Sequence, residues 1–169
     1  MKSILLAISL AWAGASFAEC LDGLIRETPD EQFTLAPQWA THTKTQLMWA
    51  RCSLGTQWDA SEANCLPLPN AKLTYTWLEA IEAANQSRLS GFNDWRLPNK
   101  NELMSIADHA CTGPAINERV FPNTGNASYW SASPSALNAG DAWRVVFTTG
   151  DLINEAMGAG LRVRLVRDL

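Results

Sequence analysis

Residues 91–103, GFNDWRLPNKNEL, leave the backbone little choice. Pro98 disfavours the helical region for Leu97, so residues 94–97 are expected to be extended. In an extended segment side chains alternate, which puts Asp94 and Arg96 on one side and Trp95 and Leu97 on the other. Asn99 can then cap a helix, with Glu102 three residues on as its reciprocal partner. Leu103, Ile106, Ala107 and Ala110 follow at the spacing of one apolar helix face, so a helix is expected over residues 100–110. Arg96 between Trp95 and Leu97 reads as part of an internal charge and hydrogen-bond network. Asp94, Trp95, Arg96, Pro98, Asn99 and Glu102 are therefore read as a structural motif.

The first 18 residues read as a secretory signal peptide. Lys2 supplies the positive flank, residues 4–12 an apolar stretch, and Ser16, Phe17 and Ala18 a small-x-small cleavage site. The stretch is shorter than the roughly 20 residues of a membrane span. Cleavage is expected between Ala18 and Glu19, leaving an N-terminal arm at 19–32 and one domain at 33–169. Secretion or a periplasmic location follows, with no membrane insertion after cleavage.

Export suits Cys20, Cys52, Cys65 and Cys111, which are even in number and form no Cys-x-x-Cys pair. Three pairings can be drawn. Cys52–Cys65 would close a short polar loop, and Cys20–Cys111 would pin the arm to the end of the second helix; these are favoured. With Lys and Arg at 13 against Asp and Glu at 17, the chain is acidic, net −4. Nucleic acid is not an expected partner.

Further along the chain, two strand-like runs around residues 41–46 suggest a hairpin, and 53–73 reads as an irregular stapled loop. A helix is expected to start at Thr76, with Glu79 completing its capping box and Trp77, Ala80, Ile81 and Ala84 as its core stripe. Periodicity vanishes between Cys111 and Ser128, and a loop of that length is usually functional or flexible. Strands are expected at 128–133, 142–148 and 161–167. Helices first and an antiparallel sheet afterwards make the class α+β.

A set of motifs carries a family resemblance. Leu47-Met48-Trp49-Ala50-Arg51-Cys52 is followed by Gly55 and Trp58, by Trp77-Leu78-Glu79-Ala80, and by the Asp94–Leu103 segment. Then come Pro114-Ala115-Ile116, Phe121-Pro122-Asn123, Tyr129-Trp130-Ser131 and Val163-Arg164-Leu165-Val166-Arg167. In that order, over residues 33–167, they resemble the DUF1566 family, the domain also found at the C-terminus of a Legionella collagen-like adhesin. The resemblance implies a C-type-lectin-like fold and a non-enzymatic module of the bacterial surface, with sulfated glycans as the ligand of the best-known relative. Sugar-binding lectins of that fold ligate calcium through Glu-Pro-Asn or Gln-Pro-Asp. Here Leu97-Pro98-Asn99 departs from both, so no cofactor is expected, and any calcium would have to use Asp141, Asp151 and loop asparagines.

Catalytic candidates are few. His42 and His109 have no nucleophile arrangement around them, and a disulfide-bonded Cys111 removes the pair it could form with His109. The chain is read as a binding protein and not an enzyme. Its partner is expected to be a glycan, including anionic polysaccharide, or alternatively an envelope protein in which this chain is a structural or assembly subunit. Most of Trp39, Trp49, Trp58, Trp77, Trp95, Trp130 and Trp143 are expected to pack in the core, with Trp58 the exposed one. Contact is expected from the 111–128 loop and the 134–141 turn. The ligand-binding candidates are Asn123, Asn126, Tyr129, Trp58, Arg162 and Arg164, the two arginines as a fork pair for sulfate or carboxylate.

Overall fold

The computed structural model describes residues 19–169. The expected signal peptide, residues 1–18, lies outside the described residues. The chain is mixed α and β, mostly strands, with two short α-helices. Strands β2 (Phe33–Leu35), β3 (Trp39–His42), β4 (Leu47–Ala50) and β11 (Val166–Asp168) form an antiparallel sheet in the order β11-β4-β3-β2. Strand β4 is buried on both faces, as its run of apolar residues requires. Leu47 and Trp49 enter one core cluster, with Phe33, Ile116, Phe121 and Val145. Met48 and Ala50 enter the other, with Ala80, Trp95, Trp130 and Leu165. Such period-two placement makes one strand the partition between two halves of the core.

The second sheet runs β10-β9-β8, built from β8 (Ser128–Pro134), β9 (Asp141–Val146) and β10 (Asp151–Ala156), with a bulge in β8 between Trp130 and Pro134. Helix α1 (Trp77–Gln86) starts as its sequence demands. The Glu79 carboxylate accepts from the Thr76 backbone N–H at 2.8 Å and from its hydroxyl at 2.9 Å. Ala80 and Ala84 are its buried residues.

The segment at 91–103 follows the alternation of its side chains. Trp95 and Leu97 are buried, and Arg96 forks onto Glu102 at 2.8 and 2.9 Å and reaches Asp168 at 2.9 Å. Asp94 receives a second fork, from Arg167, at 2.7 and 2.9 Å. Asn99 Oδ1 caps α2 (Lys100–Met104) by accepting from the Asn101 and Glu102 N–H groups, both at 2.9 Å.

Helix α2 is shorter than the apolar spacing suggests. Ile106, Ala107 and Ala110 are buried as expected, yet the chain leaves the helix after Met104. The Asp108 N–H goes to the Ala115 carbonyl at 3.0 Å, and its carboxylate accepts from Arg26, Thr28 and the Glu27 and Ala110 N–H groups. These long-range bonds outweigh continuation of the helix. They also seat the N-terminal arm, whose β1 (Glu19–Cys20) pairs with β7 (Cys111–Thr112) and carries the Cys20–Cys111 disulfide.

The region expected to be an irregular loop holds a hairpin, β5 (Thr56–Asp59) and β6 (Asn64–Pro67), stapled by Cys52–Cys65. The stretch from Cys111 to Ser128 is aperiodic as expected, but much of it is core. Ala115, Ile116, Asn117, Val120, Phe121 and Thr124 are all buried there.

Candidate functional site

The stapled hairpin is positioned by its own turn and by two tethers. Asp59 Oδ1 accepts from the Ser61 N–H at 2.8 Å, the Ser61 hydroxyl at 2.5 Å and the Glu62 N–H at 3.1 Å, and these bonds, the Ser61 hydroxyl first, hold its carboxyl below the usual range. Asn123, at a positive φ of 55°, donates from Nδ2 to the Cys65 carbonyl at 2.7 Å. That bond ties the hairpin to the 111–128 segment.

Arg51 is the second tether. Its guanidinium donates to the carbonyls of Val120 at 2.9 Å, Arg119 at 3.0 Å, Ala36 at 3.2 Å and Pro37 at 3.3 Å. It also lies 4.1 Å from the centre of the Trp58 ring, a cation–π contact that fixes the indole. Burial holds the Arg51 pKa below its ordinary value. Trp58 is therefore half-buried and rigidly held, not freely exposed.

Between the hairpin and the loop runs an open groove of about 810 Å³. Trp58, Glu62 and Asn64 line the hairpin side; Arg119, Pro122 and Asn123 line the loop side. Its charges are mixed, and the mostly exposed Arg119 is itself held by Asp30 at 2.7 Å. A fixed indole with carboxamides beside it can stack on an apolar face of a ligand while bonding to hydroxyls.

A smaller cavity of about 80 Å³ adjoins it, sharing Trp58 as a wall. A third, of about 50 Å³, lies behind the hairpin between Asn123 and Arg162. Of the six residues expected to bind, Trp58, Asn123 and Arg162 are thus brought around one hairpin. Asn126 is exposed but lines neither the groove nor these cavities.

Two expectations are corrected. Arg164 is 0% exposed, so it cannot form a surface fork with Arg162. Its guanidinium donates to the carbonyls of Ala50 at 3.0 Å and Arg51 at 2.5 Å and to Thr124 Oγ1 at 2.8 Å, packed over the Phe121 and Tyr129 rings. Tyr129 is also 0% exposed, its hydroxyl 2.6 Å from Ser53 Oγ and donating to the Thr124 carbonyl at 3.1 Å. Both residues hold the groove wall from behind. Sequence could not separate Arg164 from Arg162, because the irregular 161–165 stretch breaks the strand alternation.

The calcium alternative loses its two named acids. Asp141 faces Ala156 and Asp151 faces Val146, so they stand at opposite ends of the β9–β10 pair. Among the described residues no group of three or more His, Cys, Asp or Glu could hold a metal. The 134–141 turn lines no part of the groove.

Sequence reasoning missed Arg51 and Asn64. The signal for Arg51 was its place beside Cys52, one end of the staple. Asn64 pairs across from Asp59 in a hairpin that the sequence did not announce.

The family model for the Lcl C-terminal domain matches residues 38–167, which take in both helices, the stapled hairpin, the β10-β9-β8 sheet and strands β3 and β4 of the other sheet. No curated protein matches the chain.

Proposed function

The chain belongs to the Lcl C-terminal domain family, the C-terminal domain of a collagen-like adhesin, and from that premise we propose that it is an exported glycan-binding module of the bacterial envelope or surface. Two disulfides suit an oxidising compartment. Among the described residues no helix is long and apolar enough to cross a membrane. In this reading residues 1–18 are removed, 19–32 form a strapped arm, 33–169 form the binding domain, and the fold is C-type-lectin-like.

The observation that carries the glycan reading is Trp58. Its ring is clamped by Arg51 on a disulfide-stapled hairpin and borders a groove flanked by Asn64 and Asn123. Stacking on a sugar face with amides bonding its hydroxyls is the recognition such a constellation can supply. Because Arg164 is buried, sulfate or carboxylate groups would be met at Arg119 in the groove and at Arg162 in the cavity behind the hairpin. Binding dominated by anionic groups would weaken steeply with salt, since exposed charges are screened over about 10 Å at 0.1 M ionic strength.

A glycan array probed with the protein and with Trp58→Ala tests this reading. Saccharide binding by the parent, lost in the variant while thermal melting stays cooperative, is the expected result. An array without signal would leave the assembly-subunit reading, which one observation favours: Leu21, Leu24 and Ile25 on the arm are 60%, 54% and 92% exposed.

A further inference from the structure

The small cavity beside Trp58 points to one chemical group. Ala50, Leu54, Leu89 and Leu165 line it, and Ala50 and Leu165 are buried, so its innermost wall is apolar. Gln38, Gln57 and Ser87 stand among its lining residues as amide and hydroxyl groups. Gln57 is exposed, and among the described residues its carboxamide has no side-chain partner. Gln38 Oε1 accepts from Ser90 at 2.7 Å, which leaves its NH₂ group to donate elsewhere.

Size narrows the choice. A water needs roughly 10–15 Å³ of such space, so a cavity of about 80 Å³ admits roughly five to eight water-sized atoms. A whole hexose, with about twelve non-hydrogen atoms, exceeds that space, and an acetamido group, with about four, fits. A sulfate or carboxylate would be desolvated there without a cation among the lining residues. A bare hydroxyl would meet an apolar floor and leave the amides unused.

We propose that this cavity is the N-acetyl pocket of the glycan site and that the domain prefers N-acetylated amino sugars. The methyl sits against Leu54, Leu89 and Leu165, the acetamido N–H and C=O meet Gln57 and Gln38, and the pyranose ring stacks on the shared wall, Trp58. The inference rests on the glycan reading above.

N-acetylchitotetraose and cellotetraose share a β-1,4 backbone and differ by acetamido against hydroxyl, so isothermal titration with both isolates the pocket. The expected result is at least about tenfold tighter binding of N-acetylchitotetraose, the range that a buried methyl in a shaped pocket supplies. Leu54→Trp fills the cavity and should bring its affinity for N-acetylchitotetraose down to the parent's affinity for cellotetraose. Should that variant not fold, Gln57→Leu at an exposed position is read instead. Saturation-transfer NMR on the parent protein should also show its strongest signal at the acetamido methyl. Equal affinity for both saccharides, with both lost in Trp58→Ala, overturns the pocket and leaves the groove reading standing. Binding of neither overturns the pocket, and the glycan array then decides whether the groove reading falls with it.

Discussion

Arg164 is a fully buried cation whose hydrogen bonds go to two backbone carbonyls and a threonine hydroxyl, with no carboxylate among them. Burial depresses its pKa, and Tyr129, whose ring centre lies 5.4 Å from its guanidinium, acts in the opposite sense. Truncation would orphan the Ala50 and Arg51 carbonyls beneath the groove. Arg164→Ala is expected to cost about 3–5 kcal/mol, read as a lower denaturant midpoint. Arg96→Ala should cost less, about 1–3 kcal/mol, because Glu102 keeps its bond from the Asn99 N–H at 2.7 Å and the pair is partly solvated.

The two histidines should respond oppositely to pH. His42 is buried against Phe33, and desolvation followed by Lys44 lowers its pKa below 6.5. Its neutral form is favoured by folding, so that stability is present above about 6.5, the unfolded value, and is lost as pH falls through the folded value. His109 is raised above 6.5, first by its bond to Glu27 at 2.8 Å. Its contribution is present below the unfolded value and disappears as pH rises through the folded one. Melting curves between pH 5 and 8, a range chosen to bracket about 6.5, should show His42→Gln blunting the acid loss and His109→Gln blunting the alkaline one.

Among the elements, the β5–β6 hairpin depends on the turn that enters it. Gly55 has φ of 88°, and a Cβ there would lie 2.2 Å from the Lys72 carbonyl oxygen. Gly55→Ala combines a left-handed residue with a backbone clash and should cost about 2–4 kcal/mol, with loss of whatever binds at Trp58. Its check is chemical denaturation alongside saccharide titration. The loop opposite behaves as core. Thr124 is buried, its hydroxyl holds Arg164 and its carbonyl takes bonds from Tyr129 and Arg162. Exchanging residues 124–127 for Gly and Ser should therefore destabilise the domain, not merely weaken a ligand contact.

At the scale of the whole molecule, the N-terminal arm closes the domain as a strap. Cys20–Cys111 fixes one end, Arg26 pairs with Asp108 at 2.5 Å, and Asn117 donates to Thr28 O at 2.9 Å and Asp30 at 2.7 Å. Burial pushes the Asp108 pKa up, but Arg26 and the bonds from Glu27 and Thr28 outweigh it and leave the carboxyl lowered. The strap should loosen as pH falls through that lowered value. The double variant Cys20→Ser, Cys111→Ser should lose about 4–5 kcal/mol on the loop-entropy model and open the arm to proteolysis near Ile25. An unchanged cleavage pattern would show that Asp108 and Asn117 hold the arm without the disulfide.

Local chemistry was enough for the sequence to determine the parts held by near neighbours. Pro98 set the extended approach to α2, Thr76 and Asn99 set the helix starts, and alternation sorted Trp95 from Arg96. An even cysteine count suggested two disulfides. Tertiary structure decided what depended on distant partners. Asp108 ended α2 because Ala115 and the arm competed for its hydrogen bonds. Arg164 and Tyr129 went inward because Thr124 and the Ala50 and Arg51 carbonyls offered partners that no periodicity could reveal. Trp58 became a candidate platform only when Arg51, adjacent to the staple, folded over its ring, and the cavity beside it exists because Leu89 and Leu165 arrive there from distant parts of the chain.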